Sequence, residues 1–290
     1  MKKYLKLFLD ELPRQTMFES LQVVLDHNEP DNEELIWVRE FQEKYPGRLK
    51  HIIVNPVEAI GPSMNRCIKE ADGEYVAIWN IDDLRTEDSL EQQFKVLEKN
   101  PDIGVVYGDY YIVGSSGSKD GKLVSHSKIP ESEATRSMFW GPYVMFRKSL
   151  CNVAGYFDEQ LKSGADFDLC VRLAFHTRAM MASGTLGYYL VEGLGASNRP
   201  GNLQALEATV ICLRYGIYDK INYQYLDKVV NYDIDKIVQF GRQELVLNFV
   251  DNYYDLLANR KRQLLYRGIY RFLLRSIFGY KDNIKKILGK

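Results

Sequence analysis

The sequence contains no run of about 18 uncharged apolar residues, so none of its 290 residues reads as a transmembrane helix. It opens Met1-Lys2-Lys3-Tyr4 and soon carries Lys6, Asp10 and Glu11, which leaves no apolar core for a signal peptide. Cysteine is scarce. Cys67, Cys151, Cys170 and Cys212 lie far apart and form no C-x-x-C pair, which excludes a cysteine-based metal site and fits a reduced, cytoplasmic setting. A Gly-rich, basic phosphate-binding loop is missing near the start, which weighs against a nucleotidyltransferase. No internal repeat is present.

What is there is ordinary in bulk and uneven in detail. An apolar fraction of 46% supports a real core, and the length suits one large α/β domain plus an appendage. Net charge is −1, but Arg260 to Lys290 holds ten basic residues and one acid, Asp282. A body of net charge −10 therefore carries a tail of +9.

Apolar spacing predicts a first helix over Tyr4–Gln15 (Leu5, Phe8, Leu9, Leu12), with Pro13 near its end. Leu21–Leu25 reads as a buried strand that ends in a polar loop, Asp26-His27-Asn28-Glu29-Pro30. Helix over Glu33–Tyr45, strand over His51–Val54, helix over Ser63–Ala71 and strand over Tyr75–Trp79 follow. A helix over Ser89–Lys99 and a strand over Ile103–Tyr107 complete this part. Such alternation predicts a largely parallel sheet with helices on its faces, and ligands bound beyond the carboxyl ends of the strands. Gly108–Asn198 is less regular, apart from a short helix over Asp166–His176. After Pro200-Gly201 the pattern is helical: Leu203–Tyr215, Leu226–Val230 and Asp233–Leu257.

Two acidic positions carry chemistry. Asn80-Ile81-Asp82-Asp83 closes an apolar strand, and hard carboxylate oxygens there suit Mg²⁺ or Mn²⁺ bound with a substrate phosphate. The same residues also read as a plain cap for the helix that follows. Asp166 heads a short amphipathic helix, where it is either a general base or a cap favoured by the helix dipole.

Taken together, several segments resemble the family-2 inverting glycosyltransferases of the GT-A fold. Tyr4–Leu9 through Gln15-Thr16 is similar to that family's first helix. Ala71-Asp72-Gly73-Glu74-Tyr75-Val76-Ala77 resembles the approach to its metal motif, and Asp102–Asp109 the strand after it. Val153–Glu159 is similar to V-G-G-F-D-E, and Gly164–Leu173 to G-E-D-Y-D-L-W-L-R-L. The resemblance implies a Rossmann-like mixed sheet of the GT-A type, with helices on both faces and a C-terminal helical extension. It divides the chain into a transferase domain (1–200), a helical extension (201–258) and a basic tail (259–290). Within the domain, 1–110 forms the nucleotide-sugar half and 111–200 the acceptor half.

The roles that the resemblance implies are specific. Asp82 holds Mn²⁺ or Mg²⁺ on the donor diphosphate; Asn80 and Asp83 flank it; Asp26 and Asn65 belong to the nucleotide side. Asp166 is the base that deprotonates the acceptor hydroxyl, and Trp140 and Gly141 lie on the acceptor side. The implied partners are a nucleoside-diphosphate sugar and a saccharide or lipid-linked saccharide acceptor.

The match departs at named places. The family begins with a short central strand, whereas Met1 here leads almost at once into the first helix. The expectation is a start lying upstream or a truncated sequence, because an unfilled slot leaves backbone groups unpaired at roughly 1–3 kcal/mol each. His27 stands where a second acid is usual, Met64 takes an Arg position beside Asn65 and displaces it to Arg66, and Ala165 replaces the Glu before Asp166. The competing reading is a non-catalytic nucleotide-sugar or saccharide-binding module that has lost the first strand.

In the tail, Arg267, Arg271 and Arg275 form one helical stripe, and Leu265, Ile269, Phe272, Leu273 and Ile277 cover another face. This pattern predicts a helix lying in an anionic membrane surface, hence peripheral attachment. Packing on the acidic body is the alternative. The apolar face argues against a nucleic-acid arm.

Overall fold

Leu5, Phe8, Leu9 and Leu12 recur three and four residues apart, and all four are buried. The first three form the inner face of α1 (Lys2–Glu11), and Leu12 opens the single tight turn Leu12–Arg14, which contains Pro13. In the computed structural model, residues 2–126, 140–192 and 203–215 are described. The chain divides into two compact units, Met1–Ala208 and Thr209–Lys290. Most of the predicted helical extension and all of the basic tail, including Arg267, Arg271 and Arg275, lie outside the described residues.

Strand β1 (Val23–Asn28) runs parallel to β2 (Leu49–Val54), in the register Val23 to Leu49 through Asn28 to Val54. Between them α2 (Asn32–Lys44) starts on a complete capping box. Asp31 Oδ1 accepts the Glu33 and Glu34 N–H groups at 2.9 and 3.0 Å, and Glu34 Oε2 accepts the Asp31 N–H at 3.0 Å. Helix α3 (Ile60–Glu70) then leads to β3 (Tyr75–Ala77).

Strand β3 does not join β1. It opens a six-stranded sheet by pairing antiparallel with β7 (Met145–Arg147). Next comes β5 (Ile103–Val113), antiparallel to β7 and parallel to β8 (Arg178–Leu190); β4 (Leu84–Arg85) pairs antiparallel with β8, and β6 (Lys122–Val124) with β5. The sheet is thus mixed, as the family resemblance implies, and less parallel than the strand–helix alternation alone predicts. It is also divided. Among the described residues, β1–β2 stands as a separate two-stranded sheet, with no strand between β1 and β3.

Two contacts hold the separated pieces in place. Gln22, just before β1, and Asp72, just before β3, exchange hydrogen bonds: Gln22 Nε2 donates to Asp72 Oδ2, and Asp72 N donates to Gln22 Oε1, both at 2.7 Å. The apolar core of α1, β1 and α2 also takes in Trp79 and Ile81, which follow β3; Trp79 meets the Phe8 ring edge-on at 5.2 Å. A second core gathers Leu90 and Leu97 of α4 (Ser89–Lys99) with Ile103, Val106, Tyr143, Met145, Ala182 and Leu186.

The remaining helices are a short one, α5 (Cys151–Ala154), then α6 (Ala165–His176) and α7 (Leu203–Tyr215). The polar run Asp26-His27-Asn28 is a continuation of β1 rather than a loop. Strand β5 outruns its predicted end by six residues, and β8 occupies a stretch that reads as irregular.

Candidate active site

The acidic turn after β3 separates its two carboxylates. Asp83 is buried: its Oδ1 accepts the Leu190 N–H at 2.8 Å, and Asn80 Nδ2 lies 3.5 Å from its Oδ2. Burial pushes the Asp83 carboxyl up to about 7; the Leu190 N–H opposes this and the Asp82 charge adds to it. The turn is closed by the Asp83 N–H on the Asn80 carbonyl at 3.1 Å and by Trp79 Nε1 on the Asp83 carbonyl at 2.9 Å. Asp82 is half-buried. No other described side chain makes a hydrogen bond or ion pair to its carboxylate, and desolvation raises it above the ordinary range. Asp82 therefore retains oxygens to offer a ligand, whereas Asp83 spends its own on the fold.

Behind this turn lies a buried cation that the sequence pattern does not reveal. Arg85 donates from Nη1 to Gln93 Oε1 and from Nη2 to the Ile78 carbonyl, each at 2.9 Å. Its guanidinium centre lies 5.5 Å from the Trp79 ring and 5.1 Å from the Tyr143 ring, and burial lowers its pKa to about 10. Gln93 Nε2 in turn donates to the carbonyls of Val106 and Tyr143, and the Tyr143 hydroxyl donates to the Leu84 carbonyl at 3.0 Å. The strands that flank the turn are thereby linked by buried side-chain polar groups, with Arg85 Nε alone of the guanidinium nitrogens left without a hydrogen-bond partner among the described residues.

Asp26 stands in a separate cluster at the carboxyl end of β1. Its side chain is only 3% exposed and is covered by Arg66, which pairs with Asp26 Oδ2 and, at 2.6 Å, with Glu58 Oε1. Asn28 Nδ2 donates to Asp26 Oδ1 and to Ser63 Oγ, both at 3.1 Å, while Asn28 Oδ1 accepts the Glu58 N–H. Asn65 faces elsewhere. It is buried, donates to the Phe157 carbonyl and to Glu159 Oε1, and accepts the Phe157 N–H, so it ties α3 to the segment Val153–Glu159.

Asp166 lies in the first turn of α6 with its side chain exposed, and its Oδ1 accepts the Phe167 N–H at 2.7 Å. Surrounding protein desolvates it enough to raise its carboxyl above the ordinary range. One turn further on, Arg172 pairs with Asp168 and donates to the Ala154 and Tyr156 carbonyls, which fixes the helix against the preceding segment. Trp140 is buried and stacks on Tyr107 at 6.4 Å. Gly141 adopts φ +74°, and a Cβ there would meet the Tyr110 ring at 2.7 Å. Among the described residues no three His, Cys, Asp or Glu side chains converge as a metal cage.

The chain matches the model of the family described as "Glycosyl transferase family 2" over residues 2–152. It is 29% identical over 180 residues to "Uncharacterized glycosyltransferase MJ1057" of Methanocaldococcus jannaschii, covering 59% of this chain and 60% of that protein. It is 25% identical over 210 residues to "Amylovoran biosynthesis glycosyltransferase AmsB" of Erwinia amylovora, covering 66% of this chain and 67% of that protein. The match thus spans about three fifths of the length of the first relative. Among solved structures, S. aureus TarS 1-349 aligns with a TM-score of 0.55 at 17% identity, covering 88% of this chain and 68% of that one. The mannosyltransferase PcManGT from Pyrobaculum calidifontis, in complex with GDP-Man and Mn²⁺, aligns with a TM-score of 0.53 at 16% identity, covering 100% and 85%.

Proposed function

Because the chain belongs to glycosyl transferase family 2 and carries the GT-A fold, we propose that it moves a sugar from a nucleoside-diphosphate-sugar donor to a saccharide or lipid-linked saccharide acceptor, inverting the anomeric centre. The observation that carries this reading is the split between the two acids after β3: Asp83 is turned inward to Leu190, and Asp82 is left unpaired.

The residues fit a divalent cation. Asp82 would hold Mn²⁺ or Mg²⁺ with a hard oxygen, as one protein ligand among phosphate and water, and the ion when bound supplies positive charge against the departing diphosphate. Asp166 takes the proton from the acceptor hydroxyl. The hydroxyl oxygen forms its bond to the anomeric carbon as the bond from that carbon to the diphosphate breaks, and the electron pair leaves with the diphosphate. A raised carboxyl suits this work, since a more basic carboxylate accepts a proton more readily than an ordinary aspartate. Asn80 lies beside Asp82 and supplies a hydrogen-bonding amide to the donor. Asp26, with Arg66 across it, is assigned to the nucleotide.

Neighbours in fold are described in complex with GDP-Man and Mn²⁺ and, for TarS 1-349, with UDP-GlcNAc; UDP- and GDP-sugars are therefore the first donors to test. The basic tail is assigned to an anionic membrane surface, which would bring a lipid-linked acceptor to the enzyme. Among the described residues no helix is long and apolar enough to cross a membrane.

The gap between β1 and β3 favours one other reading, a module that binds nucleotide sugar or saccharide without transferring it. A single experiment separates the two: a screen of UDP- and GDP-sugars with and without Mn²⁺ that records both binding and released nucleoside diphosphate. Transfer requires release that depends on Asp166. Binding without release under any condition favours the module.

A further inference from the structure

Glu207 lies on α7, 43 residues beyond the Gly164 cap of α6, and its side chain is fully buried. Its carboxylate meets the turn just before α6: Oε1 accepts the Lys162 N–H at 2.9 Å, and Oε2 accepts the N–H groups of Ser163 and Gly164, both at 2.7 Å. Three consecutive backbone donors thus converge on one side chain.

Their position gives the contact its meaning. Gly164 is the N-cap of α6, and its own side can offer no capping group. The open N–H groups at and before a helix start need an acceptor, and the partial positive charge there favours an anion. Glu207 supplies both from a distant element. The helix it steadies carries Asp166 two residues beyond the cap, and the residue between them, Ala165, has no polar group with which to hold the turn.

We propose that Glu207 is a positioning residue for Asp166: it clamps the turn 162–164 and so fixes where the head of α6 presents its carboxylate. The assignment rests on the transferase reading above only for what Asp166 does, not for the clamp itself. Three charge-assisted bonds of 2.7–2.9 Å hold the turn far more tightly than water would. The negative charge of Glu207 also disfavours ionisation of Asp166 and adds to the desolvation by surrounding protein. Among the described residues, the helix of Asp166 adds Cys170, one turn on, whose thiol is pushed well up by burial and by Asp166, and the Asp168–Arg172 pair.

The test uses the full chain with Glu207→Gln and Glu207→Ala. Carboxyl ¹³C NMR follows the titration of Asp166, assigned through Asp166→Asn, and amide hydrogen exchange follows residues 162–164. In Glu207→Gln the charge is lost and the shape kept. The Asp166 midpoint should fall, and the acid limb of nucleoside-diphosphate release from UDP-GlcNAc or GDP-mannose should move to lower pH with it. In Glu207→Ala the three amides should lose protection, and turnover should fall by about 100-fold, the loss typical of a 1 Å misplacement, with donor binding unchanged. An Asp166 midpoint unmoved in Glu207→Gln overturns the proposal, as does unchanged protection of 162–164 in Glu207→Ala. Should Glu207→Ala fail to fold, the Glu207→Gln titration decides alone. If both signals respond but the wild type releases no nucleoside diphosphate from any donor, the clamp stands and the transferase reading falls.

Discussion

The Asp83 carboxylate accepts the backbone N–H of Leu190, 107 residues away in sequence, at 2.8 Å. The last residue of β8 is thereby fastened to the acidic turn, and the neighbouring Asp82 becomes the acid with oxygens to spare. A pair of adjacent acids in sequence is therefore two different groups in space.

That division predicts the outcome of substituting Asp82. Calorimetry of UDP and GDP with and without Mn²⁺ should find that Mn²⁺ strengthens binding to the wild type. Asp82→Asn should weaken it by about tenfold or more, because even an outer-shell partner of a metal is worth 10–100-fold. Equal affinities with and without metal in both proteins would refute the assignment.

Asp166→Asn keeps the shape of the side chain and removes its basicity. Turnover should drop by about 10²–10⁴-fold while donor affinity stays near that of the wild type. Retention of more than about a tenth of wild-type turnover is incompatible with a general-base role.

His27 and His51 predict a pH dependence of stability. His27 Nδ1 lies 3.1 Å from His51 Nε2, and burial holds both imidazoles below their ordinary pKa; for His51 the His27 charge adds to this, and for His27 the charges of Glu34, Asp31 and Asp26 oppose it. The unfolded chain then binds protons at a higher pH than the folded one. Stability should be full above about pH 6.5 and fall as pH drops below it, by at most about 1.4 kcal/mol per pH unit for each imidazole. Urea unfolding at pH 7.5 and 5.5 measures the loss, and His27→Gln should reduce it. A His27→Gln variant with the wild-type slope would show that this pair is not its source.

Gly187→Ala should destabilise the sheet. A Cβ at that position would lie 2.3 Å from the Leu84 carbonyl oxygen and 2.6 Å from the Tyr143 ring, in the network that backs the acidic turn. Overpacking of this kind costs about 1–3 kcal/mol, or about 2–4 °C of melting temperature per kcal/mol in a unit of this size. Thermal melting checks it, and an unchanged midpoint would mean that the strands can separate at no cost.

The basic tail is tested by flotation with liposomes of graded anionic-lipid content, comparing the full chain with one ending at Asn259. Binding should rise with anionic lipid, weaken in salt and vanish on truncation. If the full chain ignores the liposomes and truncation lowers the melting temperature instead, the tail serves the fold.

Elements with strong helical spacing were readable from residues alone. Helices α1, α2, α4 and α7 lie where Leu5–Leu12, Glu33–Tyr45, Ser89–Lys99 and Leu203–Tyr215 place them. Strand β1 was not readable to its end, because Asp26, His27 and Asn28 look like loop residues until Arg66, His51 and Ser63 are seen to receive them. Strand β8 was hidden by Ser183, Gly184 and Gly187, which weaken any strand pattern; Gly187 is there because its neighbours leave no room for a side chain. Asp82 and Asp166 were legible as acids at a strand end and a helix head. The inward turn of Asp83, the burial of Arg85 and the reach of Glu207 were not, since each depends on a partner brought in by the fold.

Glu34 has a further consequence. Its Oε2 accepts the Asp31 N–H that starts α2 and also lies 3.6 Å from Nε2 of the buried His27 on β1. One carboxylate thus belongs at once to a helix cap and to the environment of a strand histidine, and the two cannot respond independently. Substitutions at Asp31 and His27 share this intermediary besides the direct pull of the Asp31 charge on the imidazole, so their energetic effects are non-additive. Fraying at the head of α2 is thermodynamically linked to the polar end of β1 by a route that bypasses the apolar core.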